Sequence, residues 1–280
     1  MLWFAAMLQS SLLTFLAEHP NSVLVEIAQA MGSTPREQGA WMLVSDETTW
    51  GTIGGGQLEF MAIDNARAML GGGGSEAMDI PLGPEIGQCC GGRIRLLFKP
   101  VTGTVAAELA HRQEWETRTN PAVFMFGAGH VGLALAWALA PLPLSVTVVE
   151  TRAYALEGLP HEVIGRVVAM PEALVPDIPA GGAAVILTHD HALDFLIARE
   201  ALARADLPYV GMIGSRTKRA TFAAWARREG MAPEMAERLV LPIGGSVVKD
   251  KRPEVIAAMV AAELLTVLSA TRLRGHAAES

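Results

Sequence analysis

Ala122-Val123-Phe124-Met125-Phe126-Gly127-Ala128-Gly129-His130-Val131-Gly132 is the stretch that decides the fold of this chain. A short apolar run reads as a buried strand, and glycines spaced as G-x-G-x-x-G follow it directly, opening a helix that runs to about Ala140. Glycine permits the tight turn and lets the backbone approach a phosphate lying on the helix N-terminus. The next strand is the β-branched run Ser145–Glu150, and Glu150 ends it 18 residues after Gly132, where an acid would hold a ribose hydroxyl. Gly127, Gly129, His130, Gly132 and Glu150 are therefore candidate cofactor-binding residues. The turn alone leaves three possibilities open: a nicotinamide cofactor, another phosphorylated ligand such as a pterin or nucleotide, or none.

Working toward the C-terminus, Arg166–Met170, Ala183–Thr188 and Tyr209–Ile213 read as further strands, with helices near 191–204 and 216–229. Strands alternating with helices predict an α/β fold with a doubly wound, Rossmann-type parallel sheet over 121–280. Pro253–Leu273 reads as a long closing helix with proline in its first turn. Thr188-His189-Asp190-His191 falls at the carboxyl edge of this sheet. Asp190 reads as a helix N-cap and His189 as a residue near a ligand, while the pair of histidines with Asp190 and Asp194 has the chemistry to bind metal or move protons. In Gly214-Ser215-Arg216-Thr217-Lys218-Arg219, Ser215 reads as an N-cap. The three cations after it oppose the helix dipole unless an anion sits beside them, and a phosphate would be that anion.

Working toward the N-terminus, 104–120 is polar and ends at Asn120-Pro121, the signature of a linker. Residues 1–103 read as a smaller α+β domain with strands at Val23–Ile27, Ala40–Ser45 and Ile94–Lys99 and a helix at Glu59–Leu70. Gly54, Gly55 and Gly56 precede that helix and form a candidate anion cradle within reach of Arg36, with Glu59 as a first-turn acid. Cys89 and Cys90, the only cysteines, stand side by side in Gly87-Gln88-Cys89-Cys90-Gly91-Gly92. Adjacent cysteines strain a disulfide and lack the spacing of paired zinc ligands. Flanking glycines argue against a core strand, so the pair reads as a functional, exposed loop.

Apolar residues make up 51% of the chain and charged residues 18%, which predicts a folded globular protein. The formal charge of −7 argues against non-specific nucleic-acid binding, which needs a basic face. Residues 1–17 are apolar, but no lysine or arginine precedes Arg36 and polar residues interrupt the run, so neither a secretory signal nor a membrane span is expected. The scarce cysteines suit the reducing cytoplasm. The apolar first and last helices suggest a homodimer.

Gly32–Arg36, Gly51–Glu59, Gly87–Gly92, Phe126–Gly132, Thr188–Asp194 and Gly211–Arg219 together resemble the XdhC/CoxI family of xanthine dehydrogenase accessory proteins. The resemblance implies a cytoplasmic chaperone for the molybdenum cofactor in its molybdopterin form, not a turnover enzyme. Such a protein protects the cofactor, presents it to a cysteine desulfurase for sulfuration and inserts it into the apo-subunit of xanthine dehydrogenase. It further implies that Cys89 or Cys90, beside Gln88, contacts molybdenum, and that the glycine turns, His189, Ser215 and Arg216 hold the rest. Soft thiolate suits such a metal. Leu241–Ala257 departs from the family's pattern, and no site role is expected of it. The rival expectations are an NAD(P)-dependent oxidoreductase with His189 as acid–base, and a thiol redox sensor.

Overall fold

Alternation of apolar residues along Val23–Met31 makes a two-faced strand, and the N-terminal unit is built around it. In the computed structural model, which describes residues 12–84 and 91–278, the chain divides between Trp115 and Glu116 into two units. The first holds an antiparallel sheet of β1 (Val23–Met31), β2 (Trp41–Val44), β3 (Thr49–Gly51), β4 (Ala77–Pro81) and β5 (Arg93–Pro100), in the order β3-β2-β1-β5-β4. Val23, Val25 and Ile27 pack against α2 (Gly56–Leu70), which offers Leu58, Ala62 and Ala66 at four-residue spacing. On the other face Leu24 and Leu43 meet Leu12 and Phe15 of α1 (Leu12–Glu18) and Leu109 of α3 (Gly103–Thr119). The α3 helix occupies the stretch expected to be a linker. Its polar composition conceals the one apolar edge, Val105 and Leu109, that packs.

The second unit is a parallel sheet of β6 (Ala122–Phe126), β7 (Ser145–Glu150), β8 (Ile164–Val167), β9 (Ala183–Ile186) and β10 (Tyr209–Met212), in the order β10-β9-β6-β7-β8. On one face Val123, Met125, Val146 and Val148 pack under α4 (His130–Leu139) and α8 (Pro253–Ala278). On the other, Phe124, Phe126 and Ile186 pack under α5 (His191–Ala203) and α6 (Arg216–Arg228), with α7 (Pro233–Glu237) following. This is the doubly wound Rossmann-type sheet the glycine turn predicts. The strand order reverses at β6, with β7 on one side and β9 on the other, and that reversal opens a crevice at the carboxyl ends. The strand expected at Arg166–Met170 lies earlier, as β8, an edge strand with every residue exposed. Among the described residues no helix is long and apolar enough to cross a membrane.

Candidate functional site

The crevice beside β6 encloses about 200 Å³ and brings together Gly127, Gly129, Glu150, Arg152 and His189. Two glycines of the turn are fixed by packing. A Cβ on Gly127 would lie 2.8 Å from the backbone of Leu187, and one on Gly132 would lie 2.3 Å from the carbonyl oxygen of Gly127. Gly129 is different. Its φ of −71° suits any residue, and a Cβ there would meet nothing within 4 Å. Neither backbone geometry nor crowding asks for glycine at 129; what the open Cα leaves there is room for a ligand to approach the backbone closely. His130 is the exposed first residue of α4.

Glu150 is 5% exposed, and both of its oxygens are engaged by the protein. Oε2 accepts from the N–H of Ala128 at 3.0 Å and from Nη2 of Arg152 at 3.1 Å. Oε1 accepts from the N–H and hydroxyl of Thr151 and from Nε of Arg152. Burial pushes this carboxyl's pKa up, but the Arg152 guanidinium and the N–H groups of Ala128 and Thr151 outweigh it and hold the pKa at about 2. A carboxylate expected to hold a ribose hydroxyl is thus already bonded to the glycine turn itself. Arg152, two residues along the chain, was not anticipated. The signal was local, an arginine just past the strand-ending acid.

The Thr188–Asp194 segment is also satisfied from within. Asp190 caps α5 by accepting from the N–H groups of Ala192 and Leu193, as expected. Asp194 is fully buried and bonds the hydroxyl of Thr188 at 2.6 Å and the ammonium of Lys218. Lys218 also donates to the carbonyl of Ile213 at 2.9 Å, and Arg219 donates to the carbonyls of Leu239 and Leu241. This corrects the reading of the α6 turn. For Lys218 the compensating anion is the protein's own Asp194, and Arg219 is taken up by carbonyls. Ser215 caps α6 by accepting from the Lys218 N–H, and only Arg216 of the three cations stays without a partner among the described residues. Arg216 lines a second, larger cavity, away from Gly127 and His189.

In the N-terminal unit the triple glycine follows the same rule. Gly54, Gly55 and Gly56 all have positive φ, at 122°, 72° and 67°. Oε2 of Glu59 accepts from the N–H groups of Ile53 and Gly55 and from the hydroxyl of Thr52. Gly54 presses on the Gly32–Arg36 loop, where a Cβ would come within 2.7 Å of Pro35. Gly92 abuts the same loop from another side, where a Cβ would come within 2.3 Å of the Ser33 carbonyl. Gly91 and Gly92 also pair with Leu82 through two 2.8 Å backbone bonds. Gln88, Cys89 and Cys90 lie outside the described residues. Among the described residues no cluster of three or more His, Cys, Asp or Glu side chains is arranged to hold a metal ion.

Comparison with known proteins bears on both units. A family model described as the XdhC Rossmann domain matches residues 123–264, and one described as the XdhC and CoxI family matches residues 15–81. The uncharacterized protein YqeB of Escherichia coli (strain K12) is 27% identical over 268 residues, covering 87% of this chain and 43% of that protein. The chain therefore spans less than half the length of this curated relative. A solved structure described as a xanthine dehydrogenase from Bacillus halodurans shares the fold, with a TM-score of 0.75 at 18% identity over 92% of this chain and 95% of that one.

Proposed function

The chain belongs to the XdhC and CoxI family, and from that membership we propose that it serves the maturation of a xanthine dehydrogenase as a carrier of the molybdenum cofactor. In this reading the cofactor is cargo. The chain shelters it in the cytoplasm, presents it to a cysteine desulfurase, and passes it to the apo-subunit, working as a homodimer. The observation that carries the reading is the meeting of three family-like segments in the N-terminal unit. The Gly32–Arg36 loop is gripped by Gly54 of the triple glycine and by Gly92, two residues past Cys90. Arg36 has no partner among the described residues and offers a cation there, while a thiolate from the cysteine pair offers the soft ligand that molybdenum accepts.

The test is cofactor content. Parent, Cys89→Ala and Cys90→Ala chains are purified without oxygen from a molybdate-fed host, and molybdenum and pterin are measured per chain. At least one variant should retain about tenfold less molybdenum with an unchanged circular dichroism spectrum. Retention equal to the parent's in both variants sinks the thiol role.

Hydride transfer from a nicotinamide is the second reading, and the open Cα of Gly129 favours it as much as any phosphorylated ligand. Against it stand the engaged oxygens of Glu150 and a crevice of about 200 Å³, below the roughly 300–1,000 Å³ usual for small-molecule sites. A fluorescence titration with NADH separates the two readings.

A further inference from the structure

A cavity lies beyond β10, in the Leu241–Ala257 segment from which no site role was expected. It encloses about 660 Å³, within the ordinary range for small-molecule sites. It opens past Met212, the last residue of β10, at the carboxyl edge of the parallel sheet, where ligands of open α/β folds bind.

Its walls are of two kinds. Ile213, Ile243, Val255, Ile256 and Met259 supply an apolar side, and Arg216, Lys249 and Lys251 supply cations. None of these three cations has a hydrogen-bond or ion-pair partner among the described residues. The one carboxylate in the lining, Asp250, is held by Arg252 through its N–H, Nε and Nη2 at 2.7–3.2 Å, which neutralises it. The neighbouring Glu263 accepts from the Tyr209 hydroxyl and the Gly244 N–H, both at 2.9 Å, and so fixes one wall. Gly244 and Gly245 both have positive φ, at 71° and 73°, and a Cβ on Gly245 would meet nothing within 4 Å. In a chain of net charge −7 this is a local surplus of positive charge beside an apolar surface.

We propose that this cavity binds a phosphate ester of a flat heterocycle, with the ring against the apolar wall and the phosphate among Arg216, Lys249 and Lys251. Two sources share that chemistry, a nucleotide and a phosphorylated pterin. The assignment stands on the cavity's own residues and does not require the maturation reading.

The experiment uses the full chain with Arg216→Gln, Lys249→Gln and Lys251→Gln, all exposed positions whose replacement leaves the core untouched. Calorimetric titration with ADP is one arm, and pterin content after isolation from a molybdate-fed host is the other. ADP binding to the parent, weakened about tenfold by each substitution and weakened further by salt, identifies a nucleotide. No ADP binding, with pterin content falling about tenfold in the lysine variants, identifies the pterin. ADP affinity and pterin content unmoved by all three substitutions overturns the proposal, as does a parent that neither binds ADP nor carries pterin. Loss of molybdenum in the cysteine variants alongside full pterin retention in the lysine variants would leave the maturation reading standing without this site.

Discussion

The crevice beside β6 and the cavity beyond β10 lie on the same carboxyl edge of one parallel sheet, yet their electrostatics are opposite. In the crevice the anion is already present: Glu150 bonds the Ala128 N–H and pairs with Arg152. One helix further on, Asp194 does the same for Lys218. In the cavity the side-chain cations stand without such a partner among the described residues, and the one lining acid is turned to Arg252. A glycine-rich turn therefore reports a backbone able to receive an anion. Which anion it receives depends on side chains that arrive from elsewhere.

The comparison breaks most visibly at Asp194. If it is the internal counterion of Lys218, Asp194→Ala strands a buried ammonium and should cost the C-terminal unit about 3–5 kcal/mol in denaturant unfolding. Replacing both partners, Asp194→Leu with Lys218→Met, should recover most of that loss. If the single substitution is nearly neutral, the pair is not the anchor described. Glycines 132 and 129 sharpen the contrast between packing and ligand approach. Gly132→Ala drives a Cβ onto the Gly127 carbonyl and should lower stability by about 2 kcal/mol. Gly129→Ala should change the melting temperature little, since surface substitutions usually stay within about 0.5 kcal/mol, and show itself only in ligand binding. Equal melting temperatures for the two would erase the distinction.

Glu150 provides the most specific test. Its folded pKa is depressed from 4.5 to about 2, so its contribution is complete above pH 4.5 and is lost as pH falls toward 2. That contribution is on the order of 3 kcal/mol. Glu150→Gln should flatten the acid limb of unfolding in that window and leave the slope above pH 5 unchanged.

These internal pairings also mark how far the sequence was legible. The parallel sheet was readable because β6, β7, β9 and β10 are apolar or β-branched runs followed by turns, and the β6 glycine turn sits in the expected strand-to-helix context. The α5 and α6 caps at Asp190 and Ser215 were readable for the same local reason. The Ala77–Pro81 strand was not, because it carries Asp79 and ends in proline and pairs only at the sheet edge. The α3 helix was hidden by its polarity. Lys218 looked unpaired because its carboxylate lies 24 residues back along the chain. The cavity beyond β10 takes most of its walls from residues 242–259, but it closes only where Ile213, Gly214 and Arg216 arrive from the turn after β10, and that meeting is not written in either stretch alone.

The Glu59 and Glu150 bonds to their glycine turns have a consequence in time. Each loop holds its shape through its own side chain, before any encounter. A ligand binding there would meet a turn already ordered, so no slow folding step would precede its arrival and little of its affinity would be lost to ordering the loop. Departure is equally simple, because the same carboxylate remains to keep the turn intact. At these two turns, then, the arrival and departure of a ligand would ask for no local unfolding.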